Sequence, residues 1–479
     1  MSLPASSADQ TRFARGIAIA ALAAAIVNFI AFYPGILHHD AWAYFRAVRA
    51  NDWTNWQPPL LGFLWIPLQK IYYGPQPMLV LFVAGYWTGF ALLAIAFAER
   101  DRRLAFWTFV TAFFPLAINY NGQLVKDISM AVSQLLAVAL AAGIEFGWIR
   151  RKRLAIPAIW IFLVSGAFMR ANSLFGLPPL FELAAGASSW RWVSLPFVRR
   201  AVIACLVALA VAPGHIIADR YIFRVIDIQP MSQLQVFDLG GITFNSGVDA
   251  FQGFFGQNFV QRNKGCYTPK HWDVYGWDAD GKGGCPEVYE NLKPHFGRDL
   301  SKLWLEGIAA HPIAYLQHRF AHANRFLQFL CTNCKETVFT GAQSTNQKEF
   351  TFEPTVLYRA IDFASQAIND TPFGRPYVFL LICLAWALAA FGIKDTIIRR
   401  FTMLIAMSGA MYTLGFFAVG IAQDYRYIFW TMICAAITTP AVVMHALARN
   451  DAPVALRLIP PLLVVGVIAL REAVVRFLL

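Results

Sequence analysis

Six charged side chains, running from Asp40 to Arg426, are of the types that phosphate and hydroxyl chemistry needs. They stand in four short stretches: "LHHDAWAYF" holds His38, His39, Asp40 and Tyr44, and "NGQLVKDIS" holds Lys126 and Asp127. "FMRANSLF" holds Arg170 and Asn172, and "QDYRYIFW" holds Asp424 and Arg426. Arginine and lysine hold a phosphate. A carboxylate at the same level removes a proton from a hydroxyl, and a departing phosphate needs positive charge to stabilise it. Each group also has a plain structural reading. Lys126 with Asp127, and Asp424 with Arg426, would serve as local charge pairs. Trp53, Trp56, Tyr72 and Tyr73 would form an interfacial aromatic belt, and Arg46 and Arg49 would meet lipid headgroups. Their placement on one face of a membrane bundle favours the chemical reading.

That bundle follows from composition. The chain has 479 residues, 58% hydrophobic and only 14% charged, and apolar runs near the length of a bilayer crossing recur along it. The pattern is that of a polytopic membrane protein. The absence of alternating ten-residue strand patterns favours an all-α fold over a barrel. About eleven transmembrane helices are predicted. The spans are Ile17 to Phe32, Pro77 to Ala98, Leu104 to Ile118, Ile128 to Gly147, Leu154 to Met169, Leu174 to Ala187, Ala201 to Ala218, Tyr377 to Ile393, Phe401 to Ile421, Ile428 to Ala446 and Leu458 to Val474. Two arginines precede the first run, as in a signal peptide, but no small-residue cleavage site follows it, so it is read as a retained helix. The net charge of +12 falls in short basic clusters between apolar runs, which is the pattern of cytoplasmic loops and not of a nucleic-acid partner.

Those basic clusters fix an orientation. Arg100 to Arg103, Arg150 to Arg153, Arg191 to Arg200 and Lys394 to Arg400 fall on one side if the helices alternate, and that side is predicted to be cytoplasmic. The chain then divides into an N-terminal bundle, 1–218, with an outer loop over 33–76, an outer domain of mixed structure over 219–376, and four final helices over 377–479. The outer domain, roughly 155 residues, is long enough to bury a core of its own. Within it, Asp299 to Leu330 reads as two amphipathic helices broken near Pro312, and Lys348 to Arg375 as a return along the membrane surface. Cys205, Cys383 and Cys434 lie in apolar spans, whereas Cys266, Cys285, Cys331 and Cys334 lie in the outer domain. An even set there suits two disulfides in an oxidising compartment. Spacing favours Cys266 with Cys285 and Cys331 with Cys334, although three pairings are open and a zinc site competes.

Cations beside a carboxylate, at the outer leaflet and next to apolar grooves, suit a lipid-linked anionic substrate. The lipid tail lies in the bilayer while the cations hold its phosphate, and glycosyl transfer from a polyprenyl phosphate sugar is the reaction that uses all the parts. The stretch "YPGILHHDAWAYFRAV…NWQPPLLGFLW" resembles the first outer loop of the GT-C glycosyltransferases, where an acidic residue is followed by an aromatic helix and a Pro-Pro element. "LVKDIS", "MRANSL", "HPIAYLQHR" and "DYRYIFW" resemble recurring segments of bacterial members of that superfamily. The resemblance implies a GT-C-like bundle in a bacterial inner membrane, with the site facing the periplasm. It implies Asp40 as catalytic base, Asp127 as a second catalytic carboxylate that positions the acceptor or a metal, and Lys126, Arg170 and Arg426 as donor-phosphate contacts. His39, Tyr44, Asn172 and Asp424 complete the expected substrate-binding set, and the acceptor would be a glycan, lipid or protein. The family's acidic pair is reduced here to one aspartate after two histidines, and Gln57 replaces the usual His or Tyr before Pro-Pro. Metal dependence is therefore open, with His39 and Asp40 as the nearest donors. Stacking of acceptor sugars on Trp272, Tyr275 or Trp277 competes with an ordinary core role for those rings. Two other classes fit the same basic groove: a flippase of lipid-linked glycans and a polymerase acting on them. A transporter would place its charges near the midplane and show repeated halves, and neither is visible.

Overall fold

The structure is a computed structural model that describes residues 7–277, 284–331, 349–447 and 454–477. Helices account for nearly all regular structure among the described residues, with isolated β-bridges at Ile36–Gln123 and Thr54–Ile226. The N-terminal part comprises α1 (Ser7–Phe32), α2 (His39–Ala50), α3 (Leu60–Ile71), α4 (Gln76–Ala98), α5 (Arg102–Thr111), α6 (Pro115–Asn121), α7 (Lys126–Glu145), α8 (Lys152–Met169), α9 (Leu177–Ser188), the single turn α10 (Trp190–Val193) and α11 (Phe197–Ile217). The middle holds α12 (Met231–Ser246), α13 (Phe259–Cys266), α14 (Glu287–Leu292), α15 (Arg298–Ala310), α16 (Pro312–Leu327) and α17 (Val356–Asn369). The last part is α18 (Pro376–Ala389), α19 (Thr396–Val419), α20 (Phe429–Leu447) and α21 (Val454–Phe477).

Eight helical stretches among the described residues are long and apolar enough to cross a membrane, and Leu60–Ile71 and Pro376–Gly392 are shorter apolar helices. The chain is a polytopic α-helical membrane protein. Three predicted spans are not among the eight: Tyr377 to Ile393 falls in the shorter helix Pro376–Gly392, and the other two are broken or begin late. Leu104 to Ile118 is broken by Pro115 into α5 and α6, because proline removes a helical donor and pushes the preceding residue out of helical geometry. Leu174 to Ala187 begins with a 3₁₀ turn, Ala171–Phe175, and becomes α-helical only from Leu177.

Helix α7 lies at the centre, packed against α4, α8, α9 and α20. Gly85 and Gly89 of α4 allow the close approach: a Cβ there would meet Val132 at 2.4 Å and Leu135 at 2.6 Å. The peripheral spans α1, α11 and α21 turn outward residues such as Leu22, Leu206 and Leu462, as contact with lipid requires. At one end of the bundle the basic loops gather: Arg200 pairs with Glu182 at 2.8 Å, Arg100 with Asp395 at 3.7 Å, and Arg400 with Glu145.

At the other end α12 to α16 enclose a second hydrophobic core around Phe237, Phe251, Trp272, Tyr275 and Leu300. Its described residues are helices, turns and loops, so the mixed structure expected there is replaced by a helical body. The two helices broken at Pro312 are α15 and α16, and Cys266 is joined to Cys285. Of the other expected pair, Cys334 lies outside the described residues. Helix α17 packs on α1 and α6, where Thr355 donates to the Ala31 carbonyl at 3.3 Å and Asn119 to Asp362 at 3.2 Å. Its Val356 and Phe363 are left exposed, consistent with a helix that returns along the membrane surface.

Candidate functional site

Three backbone ties bring distant segments together. Ile36 donates to the Gly122 carbonyl at 3.1 Å and Leu124 donates back to Ile36 at 3.2 Å, which sets the start of α2 beside the start of α7. Ile226 donates to Trp53 at 2.8 Å, fixing the first outer loop to the segment after α11. Trp272 donates to Ile421 at 2.8 Å, seating the outer helical body on the loop that leads into α20. Asp40, Lys126 and Arg426 thereby meet, although hundreds of residues separate the first from the last.

Arg426 is the hub. Its guanidinium lies 2.8 Å from Asp40, 2.6 Å from Asp424 and 3.7 Å from Asp127, and it donates to His38 Nε2 at 2.6 Å. Gln57, two residues before the Pro59 that caps α3, donates to Asp40 at 3.1 Å and accepts from Lys126. Below them Arg170 is ion-paired to Asp127 and lies 4.3 Å from the centre of the Tyr427 ring. Exposure rises across the set, from 1% for Asp127 to 19% for Asp40 and 42% for Asp424. The cluster is buried at its base and wet at its top.

The top opens on a cavity of about 600 Å³ lined by His38, His39, Asp40, Gln57, Lys126, Asp424 and Arg426 on the bundle side, and by His271, Trp272, Asp273 and Trp277 on the other. Burial alone would raise the Asp40 pKa, but the Arg426 guanidinium and the Lys126 ammonium outweigh it and hold the carboxyl well below its usual range. His38, at the N-cap of α2, is pushed down to about 3 by burial and by the charge of Arg426, so it is neutral at physiological pH.

The sequence-predicted residues therefore divide. Asp40, His39, Lys126, Asp424 and Arg426 line the cavity. Asp127 and Arg170 form its buried foundation and do not line it. Tyr44 donates to the Pro58 carbonyl at 3.0 Å, pinning α2 to the Pro-Pro element, and faces a neighbouring groove. Asn172 is half-buried on the 3₁₀ turn after Arg170 and is not among the lining residues. Of the proposed stacking residues, Trp272 and Trp277 line the cavity, whereas Tyr275 is buried in the outer core with its hydroxyl donating to Asn263 at 2.6 Å. Gln57 bridges Asp40 and Lys126, a role that sequence reasoning missed. A polar residue before Pro-Pro, opposite a lone aspartate, was the available signal.

Among the described residues no three His, Cys, Asp or Glu side chains are grouped as metal ligands. The bundle-side carboxylates that line the cavity, Asp40 and Asp424, are both ion-paired to the Arg426 guanidinium, which takes up their charge. The donor set as arranged does not fit a resident metal.

No protein-family model matches the sequence, and no curated protein matches it. Among solved structures there is a likeness to the archaeal oligosaccharyltransferase AglB from Archaeoglobus fulgidus, in complex with an inhibitory peptide and a dolichol-phosphate. Identity is 13% and the TM-score 0.37, over 98% of this chain and 56% of that one. The chain thus spans about half the length of that protein. At that level of likeness no residue role and no activity pass from one chain to the other.

Proposed function

We propose that the protein is a membrane glycosyltransferase that moves a sugar from a polyprenyl phosphate carrier to a hydroxyl acceptor on the periplasmic side of a bacterial inner membrane. The observation that carries the reading is the meeting of Asp40, Lys126 and Arg426 at one cavity, between the membrane helices and the outer helical body. The donor's phosphate would sit against Lys126 and the exposed edge of Arg426. In the transfer, the bond from the sugar's anomeric carbon to the phosphate oxygen breaks and a bond to the acceptor oxygen forms. The acceptor proton passes to Asp40, and polyprenyl phosphate leaves as an anion beside the two cations. His39, exposed on the cavity wall, would contact the acceptor.

The low pKa of Asp40 makes it a weak base before a donor binds. An arriving phosphate competes for the same guanidinium and ammonium, loosening their hold on the carboxylate and raising its basicity when the donor is bound. Orientation is supported by the basic loops at the opposite end of the bundle and by the Cys266–Cys285 disulfide in the outer body.

The test uses purified protein and radiolabelled polyprenyl phosphate sugars, comparing wild type with Asp40→Asn. Release of free polyprenyl phosphate that disappears in the variant supports transfer. Passage of intact sugar-lipid across a liposome without cleavage would assign the groove to a flippase, and a ladder of lengthening glycan to a polymerase.

A further inference from the structure

A second cavity of about 590 Å³ lies on the far side of the aromatic wall. Trp56, Trp272 and Trp277 line both cavities, so a single partition of indole rings separates them. Trp56 comes from the first outer loop and the other two from the outer body, with ring centres 5.9 Å apart for Trp56 and Trp272 and 5.2 Å for Trp272 and Trp277. Trp272 is held in the core, whereas Trp277 is 44% exposed. An exposed indole on a cavity lip is an apolar face kept ready for a partner.

The two chambers differ in charge. The first carries Lys126 and Arg426. The second carries Asp227, Glu290 and Lys293. Asp227 is fixed by Asn55 at 2.8 Å and by Gln229 at 2.6 Å, which leaves its exposed carboxylate with further acceptor capacity. Glu290 and Lys293 pair at 2.7 Å on the rim. A chamber with two carboxylates and one ammonium repels phosphate, and its charges exclude an acyl tail. Flat aromatic faces edged by hydrogen-bonding groups suit a neutral polyhydroxylated ring, whose C–H face packs on indole while its hydroxyls meet carboxylate and amide. The volume is ordinary for a small-molecule site.

We infer that this second chamber is a saccharide subsite that receives the sugar end of the acceptor and directs it, past the tryptophan partition, toward the chamber of Asp40. The inference rests on the proposed transferase reading for the word acceptor, but saccharide binding itself does not. The test is retention of the full-length detergent-solubilised protein on an array of immobilised oligosaccharides, for wild type, Trp277→Ala, Trp277→Phe and Asp40→Asn. Wild type is expected to hold at least one saccharide. Trp277→Ala should weaken that binding at least tenfold and Trp277→Phe should keep most of it, while Asp40→Asn serves the release assay. Because Trp277 is surface-exposed, its replacement should leave the melting temperature in place. Equal binding by Trp277→Ala, or no saccharide held by wild type, overturns the subsite. If saccharide binding depends on Trp277 while wild type shows no polyprenyl phosphate release, the subsite stands and the transferase reading falls. Release that depends on Asp40 with array binding indifferent to Trp277 gives the reverse.

Discussion

Among the described residues, the charge cluster of the outer body and the one at the bundle mouth look alike in residue type and differ in what surrounds them. In the outer body Asp238 is paired with Arg319, lies 3.2 Å from His318 and accepts from Trp304 at 2.8 Å, and all three ionisable groups are fully buried. Arg319 also donates to the Gly420 carbonyl at 2.6 Å, and His322 lies 2.8 Å from the Pro269 carbonyl. Every contact is internal, and the cluster clamps the outer body to the loop that carries Asp424 and Arg426. At the bundle mouth, Asp127 and Arg170 form an equally buried pair, but the network continues upward through Arg426 to Asp40 and Asp424 and ends at a cavity. The same residue types act as a clamp where they are sealed and as a candidate site where they reach water.

The difference is breakable by exchanging one atom in each cluster. Asp40→Asn should reduce sugar transfer by a factor of about 10² to 10⁴, the usual contribution of a positioned base. It should lower the melting temperature less than Asp238→Asn does, because Asp40 is partly exposed and Arg426 keeps Asp424 and Asp127. Asp238→Asn should do the opposite. Breaking one side of a fully buried pair costs about 3–5 kcal/mol, so denaturation in detergent should shift markedly. Polyprenyl phosphate release per folded molecule should fall much less than with Asp40→Asn. Similar losses of activity at equal folded concentration would show that the two clusters do not differ in kind.

How far the sequence revealed this contrast depends on what each residue's role requires. The membrane class, the helices and the helix break at Pro312 follow from apolar runs and proline, which are local signals. The convergence of Asp40, Lys126 and Arg426 was legible as an expectation because charge at a membrane boundary is costly and all three fell on one side. The Asp238 clamp was not legible. His318 and Arg319 sit in a stretch of α16 that reads as an ordinary amphipathic helix, and their partner lies on α12 with no periodicity linking the two. The same limit explains the outer body. It was expected to be of mixed structure, yet Met231–Ser246 is a helix enclosed on nearly every side, with Asn263 and Tyr275 packed near Gly240. Tertiary packing overrides weak local propensity there.

The disulfide separates the two regions in another way. It closes a sequence separation of 19 residues within the outer body alone. Changing both Cys266 and Cys285 to serine should cost the body about 3 kcal/mol and should lower protease resistance of the outer part first. Donor binding at Lys126 and Arg426 should persist at temperatures where the body stays folded. Loss of donor binding in step with proteolysis, well below the melting point of the bundle, would mean that the wall of His271, Trp272, Asp273 and Trp277, which lies inside the disulfide loop, is needed for donor binding.

Acid should produce the most graded effect, and it sharpens the contrast because both clusters hold a histidine neutral. His322 is pushed down to about 3 by burial and by the charge of Arg319, and burial likewise lowers His318. An unfolded histidine binds a proton below about pH 6.5, whereas folded His322 stays neutral down to about 3. Between those values the unfolded state holds more protons, so stability rises with pH and falls on acidification, by about 1.4 kcal/mol per pH unit for one such group. His322→Gln removes that group and should flatten the fall in melting temperature between pH 6.5 and 4. His38, lowered for a similar reason at the mouth of the cavity, predicts a parallel flattening in His38→Gln, with loss of transfer as well because that ring accepts from Arg426. An unchanged acid limb in His322→Gln would mean that the outer clamp tolerates a protonated ring, and the distinction between sealed and open clusters would then lose its electrostatic basis.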